Sequence, residues 1–227
     1  MFIPLHDDTP LRVIRFQVVT IVVIAANIAA FLTTGAFTGE AVLATVATGF
    51  GVVPAELFGL ASGPYNPVPE PLTLITYMFL HGGWWHLISN MLFLWVFADN
   101  IEDAFGHAAF AILYLLCGIA GAFVHAMMTT ASLDPLIGAS GAVSGVLGSY
   151  LLLYPRARVW ILLFLRLPLR IGAVWVLGGW FLLQIVSLIG AGDGPVGVAW
   201  WAHIGGFLAG LAVTFLLRSR LLIRVGD

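Results

Sequence analysis

A serine hydroxyl is inert as a nucleophile until a base takes its proton, and a neutral imidazole can do so near pH 7. The chain offers such a pair in Ser140, within Gly138-Ala139-Ser140-Gly141, and His203, within Ala202-His203-Ile204-Gly205-Gly206. The small residues around Ser140 leave an approach free of side chains for a substrate backbone. They also set the hydroxyl at a helix start, where free N–H groups stabilise developing negative charge. On a third segment, His86 and Asn90 are four residues apart and share a helix face, from which both can donate to one oxyanion. No Asp or Glu within these stretches is placed to complete a triad, so a Ser140–His203 dyad is the expected form.

The elements that must hold these residues are apolar. The chain has 227 residues, 61% hydrophobic and 9% charged, against roughly a quarter charged in soluble domains. Nine arginines, no lysine and eleven acids cannot cover a soluble surface of this size. That excludes a soluble enzyme, a nucleic-acid binder and a disordered chain. Six charge-free stretches stand out: Phe16–Gly39, Pro71–Ala98, Ala104–Leu133, Pro135–Pro155, Ile171–Gly192 and Gly194–Leu217. Each is long enough to cross a hydrocarbon core of ~30 Å as a helix, and continuous apolarity favours helices over barrel strands. The first stretch follows Arg12 and Arg15 as a signal peptide would, but five further stretches favour a retained helix.

All nine arginines fall in three groups: Arg12 and Arg15; Arg156, Arg158, Arg166 and Arg170; Arg218, Arg220 and Arg224. Four stretches separate the first group from the second and two separate the second from the third. Arginines near span ends stay on the cytoplasmic side, so six spans with both termini cytoplasmic place every arginine inside. The expected fold is thus an all-α membrane bundle of six helices, read as a single domain over 1–227. Residues 1–15 are its cytoplasmic N-terminus and 218–227 its cytoplasmic tail. Residues 35–71, with Glu40, Glu56 and Glu70, form a long outer loop with short interfacial helices, and Asp99–Gly106 is a short acidic inner link. No internal repeat suggests an inverted-repeat transporter.

Depth brings the polar residues together. His86 lies 16 residues before Glu102, Ser140 16 before Arg156 and His203 15 before Arg218. At about 1.5 Å per residue, each is about 22–24 Å from its inner end and several ångströms below the outer surface. Gly141, Gly145 and Gly148 follow Ser140 at helical spacing, and Gly206 and Gly210 follow His203. Small residues so spaced let two membrane helices approach closely, presenting Ser140 to His203.

These motifs resemble the rhomboid family of intramembrane serine proteases. Gly138-Ala139-Ser140-Gly141 is similar to its G-x-S-G nucleophile motif, and Ala202 to Gly210 to its A-H-x-x-G-x-x-x-G helix. His81-Gly-Gly-Trp-Trp-His86-Leu-Ile-Ser-Asn90 is similar to its H-x-x-x-x-H-x-x-x-N segment, and Glu102 to Gly106 to its E-x-x-x-G turn. The likeness runs over 71–217 in the family's order. It implies Ser140 as nucleophile, His203 as base, His86 and Asn90 as oxyanion donors and His81 as structural. It further implies no cofactor or metal, transmembrane proteins as substrates in a lipid bilayer, and residence in a bacterial plasma membrane. One position departs: many rhomboids carry an aromatic residue four after the nucleophile, stacked on the catalytic His, and here it is Ser144.

Blander readings exist for each residue. A serine in a membrane helix usually bonds back to a carbonyl. A metal held by His81, His86 and His203 would lack any carboxylate or Cys partner, and the single Cys117 excludes an internal disulfide or a cysteine cluster. His125 reads as structural, Gln184 as an interhelical bond, and Trp84, Trp85, Trp200 and Trp201 as an aromatic belt. Two other functions remain open. One is a catalytically silent rhomboid-like adaptor, against which the retention of Ser140, His203, His86 and Asn90 argues. The other is a solute transporter, for which broken midplane helices and buried charges are missing.

Overall fold

The computed structural model describes residues 2–37, 39–63, 65, 67–191 and 198–225. The junction of the fifth and sixth stretches, Gly192 to Gly194, and the end of the tail lie outside the described residues. The chain folds mostly into helices: α1 (Val18–Thr34), α2 (Glu40–Phe50), α3 (Pro54–Leu57), α4 (Glu70–Thr76), α5 (Trp84–Phe105), α6 (His107–Met128), α7 (Ser140–Leu153), α8 (Ala173–Ala191) and α9 (Trp200–Val225). Among the described residues, three helices are long and apolar enough to cross a membrane by themselves: His107–Met128, Ala173–Gly190 and Trp200–Leu222. This is a membrane protein with apolar helices.

Three expectations from the sequence need correction. The fold is not all-α. Phe2–Asp7 (β1), Arg158–Leu163 (β2) and Leu167–Gly172 (β3) form an antiparallel sheet in the order β1-β2-β3. Pro155 stops α7, and the β-branched and aromatic run Val159-Trp160-Ile161 then extends, with Val159 fully buried. Reading this segment through its arginines alone hides that pattern.

Nor is Pro71–Ala98 one helix. Its first part is α4 and a 3-10 turn, Tyr77–Phe79. Leu80 is then extended, and Gly82 and Gly83 break the helix before α5 begins at Trp84.

Asp99–Gly106, finally, is not a loop. The helix α5 continues to Phe105, and Gly106 alone, at φ 80, turns the chain into α6. That backbone conformation favours glycine. The acids sit in the last turns of α5 because they have buried work there. Glu102 accepts from the Val19 and Thr20 amides at 2.9 and 2.8 Å, and from the Thr20 hydroxyl at 2.7 Å. These amides are the free N–H groups of the first turn of α1, whose own flanking residue Gln17 supplies no side-chain cap. Asp103 accepts from the Arg12, Val13 and Ile14 amides at 2.9, 2.8 and 2.7 Å. Two buried carboxylates therefore fasten the N-terminal segment to α5.

The core is built on glycine. A Cβ at Gly206 would fall on the Gly141 carbonyl oxygen, one at Gly210 on that of Gly145, and one at Gly148 on that of Phe207. Gly121 of α6 joins them, its position lying 2.6 Å from the Ala202 carbonyl oxygen and 3.3 Å from the Gly141 Cα once a Cβ is added. So α6, α7 and α9 meet backbone to backbone, as small residues allow. By contrast, Gly178, Gly179 and Gly190 of α8 have open space.

That contrast gives a test. Gly210→Ala should lower the thermal unfolding midpoint in detergent, at a cost of about 1–3 kcal/mol from overpacking. Gly179→Ala should be neutral or stabilise by up to about 1 kcal/mol through helix propensity. Greater damage at Gly179 than at Gly210 would contradict the glycine contact.

Candidate active site

Ser140 is the first residue of α7, so its amide and those of the next residues have no helical acceptor. The chain reaches it through Gly138, at φ 119, whose amide donates to the Tyr77 carbonyl at 2.9 Å. Tyr77 is in turn anchored by its hydroxyl, which donates to the Gly118 carbonyl of α6 at 2.7 Å. A Cβ at Gly138 would stand 2.5 Å from His86 Nε2. Glycine there serves twice, for the backbone turn and for the close approach of the imidazole.

His203 lies in the first turn of α9, and its Nε2 is 2.9 Å from Ser140 Oγ. The glycine contacts between α7 and α9 make this approach possible. The other ring nitrogen, Nδ1, is 2.8 Å from Gln184 Oε1 of α8. The interhelical bond expected of Gln184 is therefore present, and its partner is His203.

His86 accepts at Nδ1 from the Gly82 amide at 3.4 Å, which leaves Nε2 to carry the proton on its Gly138 side. Asn90, buried, donates one Nδ2 hydrogen to the His86 carbonyl at 3.0 Å and keeps a second for another acceptor. His81 is fully buried against His86, ring centroids 5.0 Å apart, as suits a packing residue. His86, Asn90, Ser140 and His203 line one open cavity of about 1070 Å³, together with His125 and Trp180. Its floor thus combines a hydroxyl, a base and side-chain donors, which is the equipment for acyl transfer.

Ser144 has the blander role. Its hydroxyl donates to the Ser140 carbonyl at 2.6 Å. The rings missing at that position come from elsewhere. Trp180 of α8 lies 5.9 Å from His203 at 36°, and Trp200 lies 6.1 Å away, edge on at 85°. Sequence reasoning did not assign Gln184 or Trp180 to His203. The depth count could have found the first, since Gln184 lies nearly as far beyond Arg170 as His203 lies before Arg218. Among the described residues, no group of three or more His, Cys, Asp or Glu side chains could hold a metal ion.

The Rhomboid domain model matches residues 69–220. The chain is similar to Rhomboid protein 1, mitochondrial, of Saccharomyces cerevisiae, with 33% identity over 149 residues, covering 63% of this chain and 41% of that protein. It is also similar to RHOMBOID-like protein 4 of Arabidopsis thaliana, with 34% identity over 151 residues, 66% of this chain and 35% of the relative. A third relative is Rhomboid protease GluP of Bacillus subtilis, with 30% identity over 137 residues, 60% of this chain and 24% of the relative. The chain spans less than half the length of each of these relatives. Ser140, His203, His86 and Asn90 all fall inside the matched segment, and on that match the chain belongs to the rhomboid family.

Proposed function

We propose that this chain is an intramembrane serine endopeptidase. The observation that carries the reading is the 2.9 Å approach of His203 Nε2 to Ser140 Oγ on the wall of a cavity that His86 and Asn90 also line. Ser140 Oγ attacks the scissile carbonyl as its proton passes to His203 Nε2. The resulting oxyanion accepts hydrogen bonds from His86 Nε2–H, the free Asn90 Nδ2–H and the unsatisfied amides at the start of α7. As the intermediate collapses, His203 returns the proton to the leaving amine, and an ester to Ser140 remains. Water then attacks that ester with the proton flow repeated. No cofactor enters this scheme. The similarity to a Bacillus subtilis protein named as a rhomboid protease supports proteolysis over a silent adaptor.

We further propose six spans, with both termini and all nine arginines on the cytoplasmic side of a bacterial plasma membrane. The catalytic level then lies near the outer face. Clients would be single-span proteins cut near their outer end, after a small side chain. A helix hides its carbonyls in i→i−4 bonds, so the scissile segment must unwind first, which Gly and Pro favour.

Three measurements check the proposal. Ser140→Ala and His203→Ala should each abolish cleavage of a single-span client in lipid while the fold persists, since the two act as a unit. Asn90→Ala should slow it by about 10²–10³. Mass spectrometry after a fluorophosphonate should find the adduct on Ser140; undiminished turnover in Ser140→Ala would overturn the protease reading. For topology, Cys117 is buried, so single cysteines can be read against a silent background. A cysteine at exposed Gly39 or Asp134 should react with an impermeant thiol reagent in intact cells, and one at exposed Arg158 should not. Reversed labelling at either face would rule out the six-span arrangement.

A further inference from the structure

Gln184 is buried in α8, 4% exposed, and is not part of the cavity wall. It stands behind His203, out of a client's reach, yet both ends of its amide are engaged. Nε2 donates to the Trp180 carbonyl, one turn earlier, at 3.1 Å. Oε1 lies 2.8 Å from His203 Nδ1.

Elementary hydrogen-bond chemistry then determines where the His203 proton sits. An amide nitrogen only donates and an amide oxygen only accepts. With the Trp180 carbonyl, itself only an acceptor, taking the Nε2–H, the end that faces His203 must be Oε1. Turning the amide over would set Oε1 against the Trp180 oxygen, two acceptors with no proton between them. An oxygen facing Nδ1 requires Nδ1 to carry the hydrogen, because the other tautomer would oppose two lone pairs at 2.8 Å. The lone pair of the neutral ring is then on Nε2, the atom 2.9 Å from Ser140 Oγ. Trp180 contributes a second time, because its ring lies against His203 at 5.9 Å while its carbonyl holds the amide.

We infer that Gln184 is a positioning residue that holds His203 as the Nδ1–H tautomer, so that Ser140, His203 and Gln184 form a three-membered chain with an uncharged end. The inference rests on the protease reading. An uncharged terminus suits its place. A carboxylate buried at this level would carry a large desolvation cost, whereas an amide oxygen accepts the same bond at a much smaller one. When His203 takes the proton from Ser140, the Nδ1–H bond to Oε1 remains and steadies the imidazolium.

The test opposes shape to acceptor chemistry. Gln184→Met keeps the side chain's length and loses the acceptor; Gln184→Glu, buried as the neutral acid, donates its O–H to the Trp180 carbonyl and keeps a carbonyl oxygen facing His203 Nδ1. Client cleavage and the rate of fluorophosphonate attachment to Ser140 are measured for both and for the parent protein in lipid. We expect Gln184→Met to lower kcat by about 10–10³-fold with KM little changed, below the ~10⁴-fold seen when a charged triad member is lost, and Gln184→Glu to recover most of the rate. Equal rates in Gln184→Met and the parent, or a Gln184→Glu variant slower than Gln184→Met, would overturn the inference. A parent protein that neither cleaves nor labels at Ser140 would instead overturn the protease reading. Should the variants not fold, ¹⁵N spectra of the parent protein decide, with the His203 signals identified by their loss in His203→Ala. A protonated Nδ1 and unprotonated Nε2 are expected, and the reverse pattern would refute the assignment.

Discussion

The contact of α7 with α9 through glycine is the constraint from which the rest of the site follows. Ser140 and His203 are 63 residues apart in sequence, and each stands near the start of its own helix. To bring hydroxyl and imidazole within 2.9 Å at that level, the two helices must run backbone to backbone below it. Any side chain at Gly206 or Gly210 would occupy the space of a carbonyl oxygen on α7. In lipid there is no hydrophobic drive to press helices together, so close van der Waals fit must do it. The same glycines that pack the core therefore set the distance between Ser140 Oγ and His203 Nε2.

Several of the buried polar groups are spent on position. Glu102 and Asp103 bind backbone amides of the N-terminal segment and the first turn of α1. In the membrane setting a buried carboxylate without partners is expensive, and these two are surrounded by donors. Tyr77 links the turn before α5 to α6 and to Gly138, and so carries the packing of the core to the residue against which His86 rests. The open cavity above Ser140 gathers polar groups with capacity for a ligand: the second Asn90 hydrogen, His86 Nε2–H and the first amides of α7. Rigid support beneath and unused donors above are what preorganised stabilisation of an oxyanion requires.

His203 has an unusual cradle for a position where Ser144 provides no ring. Trp180 and Trp200 bracket the imidazole, and Phe181 stacks on Phe207 one turn farther along α9, at 4.2 Å and 14°. The helix α8 thus supplies both aromatic packing and the amide acceptor for His203. Its contribution is made through large side chains and one hydrogen bond, not through the glycine contact that joins α6, α7 and α9.

Sequence alone determined the membrane class and the apolar helices. These depend on composition, on runs without charge and on the fixed rise of a helix, all of which are local. It also pointed to Ser140, His203, His86 and Asn90, because polar residues inside apolar runs are rare enough to stand out. Three things depended on the folded chain. The strand Phe2–Asp7, at the start of the chain, pairs with Arg158–Leu163 in its far half, and no local pattern announces such a partner. Glu102 and Asp103 look like a solvated link until the amides that surround them are in place. Gln184 has the depth of His203 in the sequence, but which way its amide points is decided by the Trp180 carbonyl one turn earlier and by how α8 faces α9. Local chemistry selects the candidates; only packing between distant segments assigns each a partner.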